Sequence, residues 1–427
     1  MTDHDLPPDA PTREPGSHAR SLSLILIATA LAGVGGYAIT TVVARGLGPV
    51  GYASFAVFWA SLYLAVGTLA GMQQETSRAA RAGTSRGGSE LALLIGGVSV
   101  AVALLITVLV AVAHGVLFPE YGWLLGVPLI VGPVASVTVA SITGLLYGAH
   151  AWRTLAVVIV ADVALRLVGI VVVLALHGGV ILVAWAAVAP FVVMAIGLVA
   201  GLRLAPHLRV SLDVGLRTLV SHVAQTIGGA VGISLLVSGF PLFVKVLSPD
   251  QDASTVGTLV YALILTRAPL VVSVLAVQSY LVVFLRDRVA HTARAVLSIL
   301  GVLLAVGLVL AALASLFGPG IVAALAGDGY RVPALTLALL VLVSVLTGAL
   351  AVTGAAVLAK GLHGWYVAGW TLAAGVSVLL LAIPGDLSIR MITALAGGPL
   401  IGVCLHLLAL RRPVAGAAST ELAPPVG

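Results

Sequence analysis

The chain has 427 residues, of which 60% are hydrophobic and only 8% charged, and its mean hydropathy is +1.19. Soluble domains carry about 25% charged residues, so the polar shell of a soluble enzyme, a nucleic-acid-binding domain or a disordered regulator is missing, and the composition is that of a polytopic membrane protein. The formal net charge of +6 then marks a cytoplasmic face rather than an affinity for nucleic acid, because basic residues gather on that side of membrane chains.

In chain order, residues 1–20 are polar and proline-rich and read as a disordered cytoplasmic tail. Arg13 and Arg20 precede an apolar run from Leu22 to Ala44. That run exceeds the roughly 7–15 residues of a signal-peptide core, so it is expected to stay as a first span. A helix needs about 20 apolar residues to cross the hydrocarbon layer. Further runs of that kind lie at 51–73, 91–118, 122–147, 154–176, 180–202, 222–247, 256–285, 295–317, 332–358, 364–383 and 388–410. Lipid leaves open backbone groups unsatisfied, so all twelve are expected to be helical. The weakest are the fourth, with Pro128 and Pro133, and the seventh, with Pro241. The longest connections, 74–90 and 203–221, are expected to hold short basic amphipathic helices at the headgroups. Residues 413–427 read as a second disordered cytoplasmic tail. The lone cysteine, Cys404, forms no intrachain disulfide and reads as a small buried hydrophobe.

Alternating the spans from a cytoplasmic N-terminus puts fifteen of the 21 Lys and Arg on the cytoplasmic side, four outside and two within spans. One span more or fewer would degrade that bias, so the even count is supported and both termini are expected in the cytoplasm of an inner membrane.

The halves resemble each other. Arg45, Leu47 and Pro49 recur as Lys245, Leu247 and Pro249, and Val50-Gly51-Tyr52 recurs as Val256-Gly257-Thr258. Six spans separate the copies, so both have the same orientation, as in parallel-repeat transporters. The expected architecture is all-α: an N-terminal six-helix lobe (21–203), a cytoplasmic linker (204–221) and a C-terminal six-helix lobe (222–412) around a central cleft.

No phosphate-binding loop, His-Glu-x-x-His or Gly-x-Ser-x-Gly motif occurs, and the ten histidines have no ligand spacing. No catalytic residue, metal or cofactor is expected. Ionisable residues inside a membrane point to a path or a partner. Asp162 and Arg166 lie four apart on one helix face; Arg166 either faces an aqueous cleft and attracts an anion, or forms a self-compensated pair. Arg267, two residues before Pro269, either faces the cleft or caps carbonyls freed by a kink. Arg45 and Lys245 line an exit from the cleft or anchor at headgroups. Span seven, with Gln225, Thr226, Ser234 and Ser238, is the most polar span and suits a cavity wall.

Leu47-Gly-Pro-Val-Gly-Tyr-Ala-Ser-Phe-Ala56, Gly144-Leu-Leu-Tyr-Gly-Ala-His-Ala-Trp-Arg153, and Val256-Gly-Thr-Leu-Val-Tyr-Ala262 leading into Arg267-Ala-Pro269 resemble segments of the polysaccharide-biosynthesis flippases. These belong to the multidrug/oligosaccharidyl-lipid/polysaccharide exporter superfamily. The resemblance implies two six-helix lobes with a cationic cleft that opens alternately to each face. It implies movement of an anionic polyprenyl-pyrophosphate-linked oligosaccharide between leaflets, with Arg166 and Arg267 as the cations by position and H⁺ or Na⁺ as coupling-ion candidates. An ion-coupled small-molecule or multidrug exporter and a membrane glycosyltransferase or glycan polymerase are the rival readings.

Overall fold

The computed structural model describes residues 15–81, 88–204, 211–212, 215–267, 270–271, 273–286 and 292–411. Residues 1–14 and 412–427, and with them most of both expected tails, lie outside the described residues. Helices account for the spans in order: α1 Pro15–Thr68, α2 Ala70–Ala79, α3 Gly88–Leu117, α4 Trp123–Gly148, α5 Trp152–Ala175, α6 Val180–Leu204, α7 Leu216–Val237, α8 Phe240–Val246, α9 Ala253–Arg267, α10 Ser273–Ala276, α11 Gln278–Arg286, α12 Thr292–Ala326, α13 Ala334–Ala359, α14 His363–Leu381 and α15 Leu387–Leu410. The only strands among the described residues are β1 (Ala80–Arg81) and β2 (Ser211–Leu212), an antiparallel pair.

Among the described residues ten helices are long and apolar enough to cross a membrane. Twelve passes fit inside that number for two reasons. Ser23–Ala79 runs for 57 residues, far more than the roughly 20 one crossing needs. Gly48 divides it with φ 66° and ψ 176°, a conformation open essentially to glycine alone. The eighth pass is described as α9, α10 and α11, with residues 268–269 and 272 outside the described residues, so no single described piece reaches full length. An even number of passes returns the chain to the side where it began. That side is here the tail end, and the opposite side the far end.

Burial follows a six-span period. The most hydrophobic windows of the third and ninth passes, α3 and α12, are 17% and 22% buried, whereas those of the fourth and tenth, α4 and α13, are 61% and 67% buried. The repeat seen in sequence is thus also a repeat of position: α4 and α13 are the inner helices, α3 and α12 the outer ones. The outer helices expose Leu104, Val108 and Val112, and Leu304, Leu308 and Leu316. An exposed apolar face of this size belongs against lipid. Cys404 is exposed on α15, not buried as expected; facing lipid satisfies a small apolar side chain equally well.

The second span of the first half runs on through Leu69, whose N–H reaches the Ala65 carbonyl and whose carbonyl accepts from Gln73, to the end of α2 at Ala79. Of the corresponding span of the second half α9, α10 and α11 are described, and residues 268–269 and 272 lie outside the described residues. Span seven is interrupted beside Pro241, the residue that makes it weak in the sequence. α7 stops at Val237 and α8 restarts at Phe240, with Pro241 at its start. Proline has no N–H to offer the Val237 carbonyl one turn back.

Of the connections 74–90 and 203–221, where amphipathic helices are expected, the structure describes only parts. Residues 74–79 continue the second span as α2, β1 follows, and α7 begins at Leu216, inside the expected linker. Residues 82–87, 205–210 and 213–214 lie outside the described residues.

At the far end the halves are closed on each other. A Cβ at Gly257 would come within 2.0 Å of the Pro49 carbonyl oxygen, so the two copies of the repeat motif touch backbone to backbone. Tyr52, Tyr261 and Tyr330 form a ring cluster with centroids 5.2–6.2 Å apart. The Tyr330 hydroxyl donates to the Ala44 carbonyl at 2.9 Å, and Arg45 donates to the Ala324 carbonyl at 2.9 Å. Two far-end acids serve as helix caps. Asp252 accepts the backbone N–H groups of Ser254 and Thr255 at the start of α9, and the Ser254 hydroxyl and these bonds hold its carboxyl below the usual range. Asp386 accepts from Ile389 N at 3.1 Å at the start of α15.

Candidate functional site

A cavity of about 660 Å³ opens at the tail end. Its walls are α2 from the first half (Gln74, Glu75, Arg78) and, from the second half, α7 (His222, Gln225, Thr226, Ile233), α11 (Gln278, Val282) and α14 (His363, Tyr366, Val367). α2 and α11 are the tail-end portions of the second span of each half.

Small residues fix α2. A Cβ at Gly144 would meet Thr76 Oγ1 at 1.9 Å and one at Gly148 would meet the Ala80 side chain at 2.4 Å, which locks α2 against α4. On its other flank a Cβ at Gly71 would lie 2.6 Å from the backbone of Thr226 and Ile227, so α2 also rests directly on α7. The helix thereby presents Glu75 and Arg78, one turn apart, to the cavity mouth. Arg78 Nε and Nη2 donate to Glu75 Oε2 at 2.9 and 2.8 Å. Arg78 Nη2 also lies 2.6 Å from His222 Nδ1 on α7. Deeper in, Gln278 Nε2 donates to the Tyr366 hydroxyl at 3.3 Å. Among the described residues no group of three or more His, Cys, Asp and Glu is placed to hold a metal ion.

Of the residues singled out in sequence, Gln225 and Thr226 of span seven line this cavity. Gln225 is exposed there, and its amide reaches Ser221 at 3.4 Å. Arg166 is 1% exposed. Its Nη2 forks onto both Asp162 carboxylate oxygens at 2.7 and 2.8 Å, its Nη1 donates to the Ala187 carbonyl, and its guanidinium sits 4.4 Å from the Phe191 ring centre. The geometry is that of the self-compensated pair, not of a cation open to a cleft.

Arg267 is buried and donates to the Leu236 and Val237 carbonyls at 3.3 and 3.4 Å. These are the acceptors left over where Pro241 interrupts span seven, so Arg267 caps a neighbouring helix rather than its own kink. Pro269 lies outside the described residues. Arg45 is tied to Ala324 at the far end, and half-buried Lys245 stands in the last turn of α8; neither lines the cavity.

Glu75, Arg78, His222, Gln278, His363 and Tyr366 were not foreseen. The signal was present for α2: Gln73-Gln74-Glu75-Thr76-Ser77-Arg78 has no helix breaker and places an acid three residues before a base. Because the apolar run ends at Gln73, the sequence points to a short amphipathic helix at the headgroups there rather than to a continuation of the span into a cavity wall.

No family model matches the chain. It is 34% identical over 402 residues to the uncharacterized protein Rv1510 of Mycobacterium tuberculosis strain H37Rv, covering 92% of each chain. It is 31% identical over 398 residues to the uncharacterized protein Mb3654 of Mycobacterium bovis, again covering 92% of each. The chain belongs to the family of these mycobacterial proteins. Among solved structures it is similar to an inward-facing multidrug resistance MATE family transporter of the MOP superfamily. The TM-score there is 0.62 at 17% identity, over 89% of this chain and 94% of that one. It is also similar to an outward-facing MATE transporter, with TM-score 0.61 at 16% identity over 92% and 94%. A third is a MOP superfamily transporter from Pyrococcus furiosus whose binding pocket is described as reversed in polarity, with TM-score 0.60 at 14% identity over 92% and 97%. The fold of this family is therefore the MATE transporter fold, in a multi-pass membrane protein.

Proposed function

We propose that the chain is an alternating-access transporter of the cytoplasmic membrane that moves an anionic lipid-linked oligosaccharide from the inner to the outer leaflet. The observation that carries this reading is the cavity itself. It lies at the tail end, between the corresponding ends of the second span of each half, while the far end is held together by the Tyr52–Tyr261–Tyr330 cluster. With the termini in the cytoplasm, as the basic residues favour, the structure corresponds to the cytoplasm-open state. The division into six-span halves at about residues 204–221 supplies the two bodies that would rock.

The lining suits a glycan headgroup. Gln74, Gln225 and Gln278 offer amides to sugar hydroxyls, and Arg78 with two histidines supplies groups for a pyrophosphate. The exposed apolar surface outside leaves the lipid tail in the bilayer. The second reading, a small-molecule exporter, is favoured by the multidrug resistance transporters among the structures of the same fold.

The test is reconstitution in vesicles with a fluorescent polyprenyl-pyrophosphate oligosaccharide. Outer-leaflet appearance should depend on the protein and fall about tenfold in the Gln225→Ala, Gln278→Ala double variant, each lost hydrogen bond to the glycan being worth about 0.5–1.5 kcal/mol. No translocation by the intact chain, together with efflux of hydrophobic cations, would move the assignment to the exporter.

A further inference from the structure

The contact between Arg78 and His222 can exist in only one protonation state. A guanidinium has donors and no lone pair, so at 2.6 Å from Arg78 Nη2 the His222 Nδ1 must accept, and the imidazole is neutral. Protonation would set two cationic N–H donors against each other. The alternative partner is already in place, since Glu75 Oε2 lies 3.8 Å from His222 Nδ1. Arg78, whose side chain is 55% exposed, is free to swing into the cavity, whereas Glu75, at 11%, is held in the wall. The titratable and charged groups that line the cavity are Glu75 and Arg78 from α2, His222 from α7, and His363 and Tyr366 from α14.

We infer that one proton on His222 converts this cluster from a self-satisfied latch between the halves into a binding site for a phosphate-bearing anion. In the neutral state Arg78 is spent on Glu75 and His222. In the protonated state His222 takes over Glu75, the guanidinium is released, and the cavity gains one positive charge. Proton and anion then bind cooperatively, and by linkage each raises the affinity for the other. Histidine is the side chain whose charge changes between about pH 5 and 8, so the effect falls in a physiological range. The inference rests on the transporter reading for its setting and concerns the same cavity.

The test uses the full-length protein in nanodiscs, with two probes: inorganic pyrophosphate in solution and a polyprenyl pyrophosphate in the lipid. Binding of at least one should be about tenfold or more tighter at about pH 5.5 than at about pH 8, and calorimetry in buffers of different ionisation heat should show uptake of close to one proton per anion. His222→Gln keeps an acceptor for Arg78 but cannot take the proton. It should bind weakly at both pH values, as should Arg78→Gln, while His363→Gln keeps the pH dependence. Should His222→Gln fail to fold, His222→Asn serves in its place. Binding of the soluble probe alone points to a free phosphate compound, and of the lipid probe alone to a lipid head. PH-dependent binding that survives loss of His222, or no binding of either probe by the intact chain, overturns the inference. Failure of glycan translocation with proton-linked binding intact would instead remove the lipid-linked glycan and leave the site standing.

Discussion

Arg166 and Arg267 illustrate what a guanidinium needs in order to stay in hydrocarbon: every donor must find an acceptor. Arg166 meets that need with Asp162, the Ala187 carbonyl and the Phe191 face. Breaking such a pair exposes the survivor, which costs about 3–5 kcal/mol when the site is fully buried. The Asp162 side chain is 30% exposed, so the lower part of that range applies. Arg166→Gln should therefore lower the thermal midpoint in detergent sharply, and adding Asp162→Asn should restore most of the loss. A double variant no more stable than the single one would mean that Arg166 does more than neutralise Asp162. Arg267→Gln should lose about 1.5–3 kcal/mol from the two charged hydrogen bonds that cap α7. Arg267→Lys should recover little of it, because one ammonium cannot span two carbonyls as a planar fork does. Melting curves of the pair check this. The sequence revealed that these charges were anomalous and could not reveal where they pointed. A helix face is read from periodicity, and these spans are apolar all round, so no polar stripe marks the inner side.

At the level of the helices, number and order were legible because hydrocarbon thickness fixes the length of an apolar run. The interruption of span seven at Ser238-Gly239 is announced in the sequence only by Pro241. The cavity is legible in part: span seven, with Gln225 and Thr226, reads as a cavity wall, whereas the opposite wall, α2, is the polar continuation of a span past the point where hydropathy gives out. Two glycines show which contacts hold the elements. Gly48 adopts φ 66° and ψ 176°, so Gly48→Ala should cost about 1–3 kcal/mol of backbone strain. Gly33→Ala, at a helical site with nothing within 4 Å, should be neutral or slightly stabilising; paired melting measurements decide between them. Gly257→Val acts differently, because its Cβ would drive into the Pro49 carbonyl and wedge the halves apart at the far end. In a Cys404→Ser background carrying Thr41→Cys, a membrane-impermeant maleimide added from the far side should label only when Gly257→Val is also present. Equal labelling in both would show that the far end is not sealed by this contact.

On the scale of the whole molecule, the far-end closure is the feature that must yield in the proposed transport cycle, and it contains a discordant atom. Among the described residues the buried Tyr52 hydroxyl finds no hydrogen-bond partner, while its ring is packed edge-on against Tyr261 and Tyr330. An orphaned buried hydroxyl costs about 1–3 kcal/mol, a penalty that water would relieve once the halves part. The hydroxyl therefore weakens the closed far end while the ring strengthens it, which keeps the two states close enough in energy to interconvert. Tyr52→Phe keeps the ring and removes the penalty. It should raise the thermal midpoint and, by favouring the state closed at the far end by about 1–3 kcal/mol, slow the proposed transport roughly fivefold to a hundredfold. Tyr261→Phe is the counter-case: its hydroxyl pairs with that of Thr41 at 3.3 Å, so its loss removes a bond between the halves and should lower the midpoint. Opposite shifts in the two variants, measured together with translocation rates, would identify the cluster as the balance point of the cycle. Parallel shifts would show that it is ordinary core.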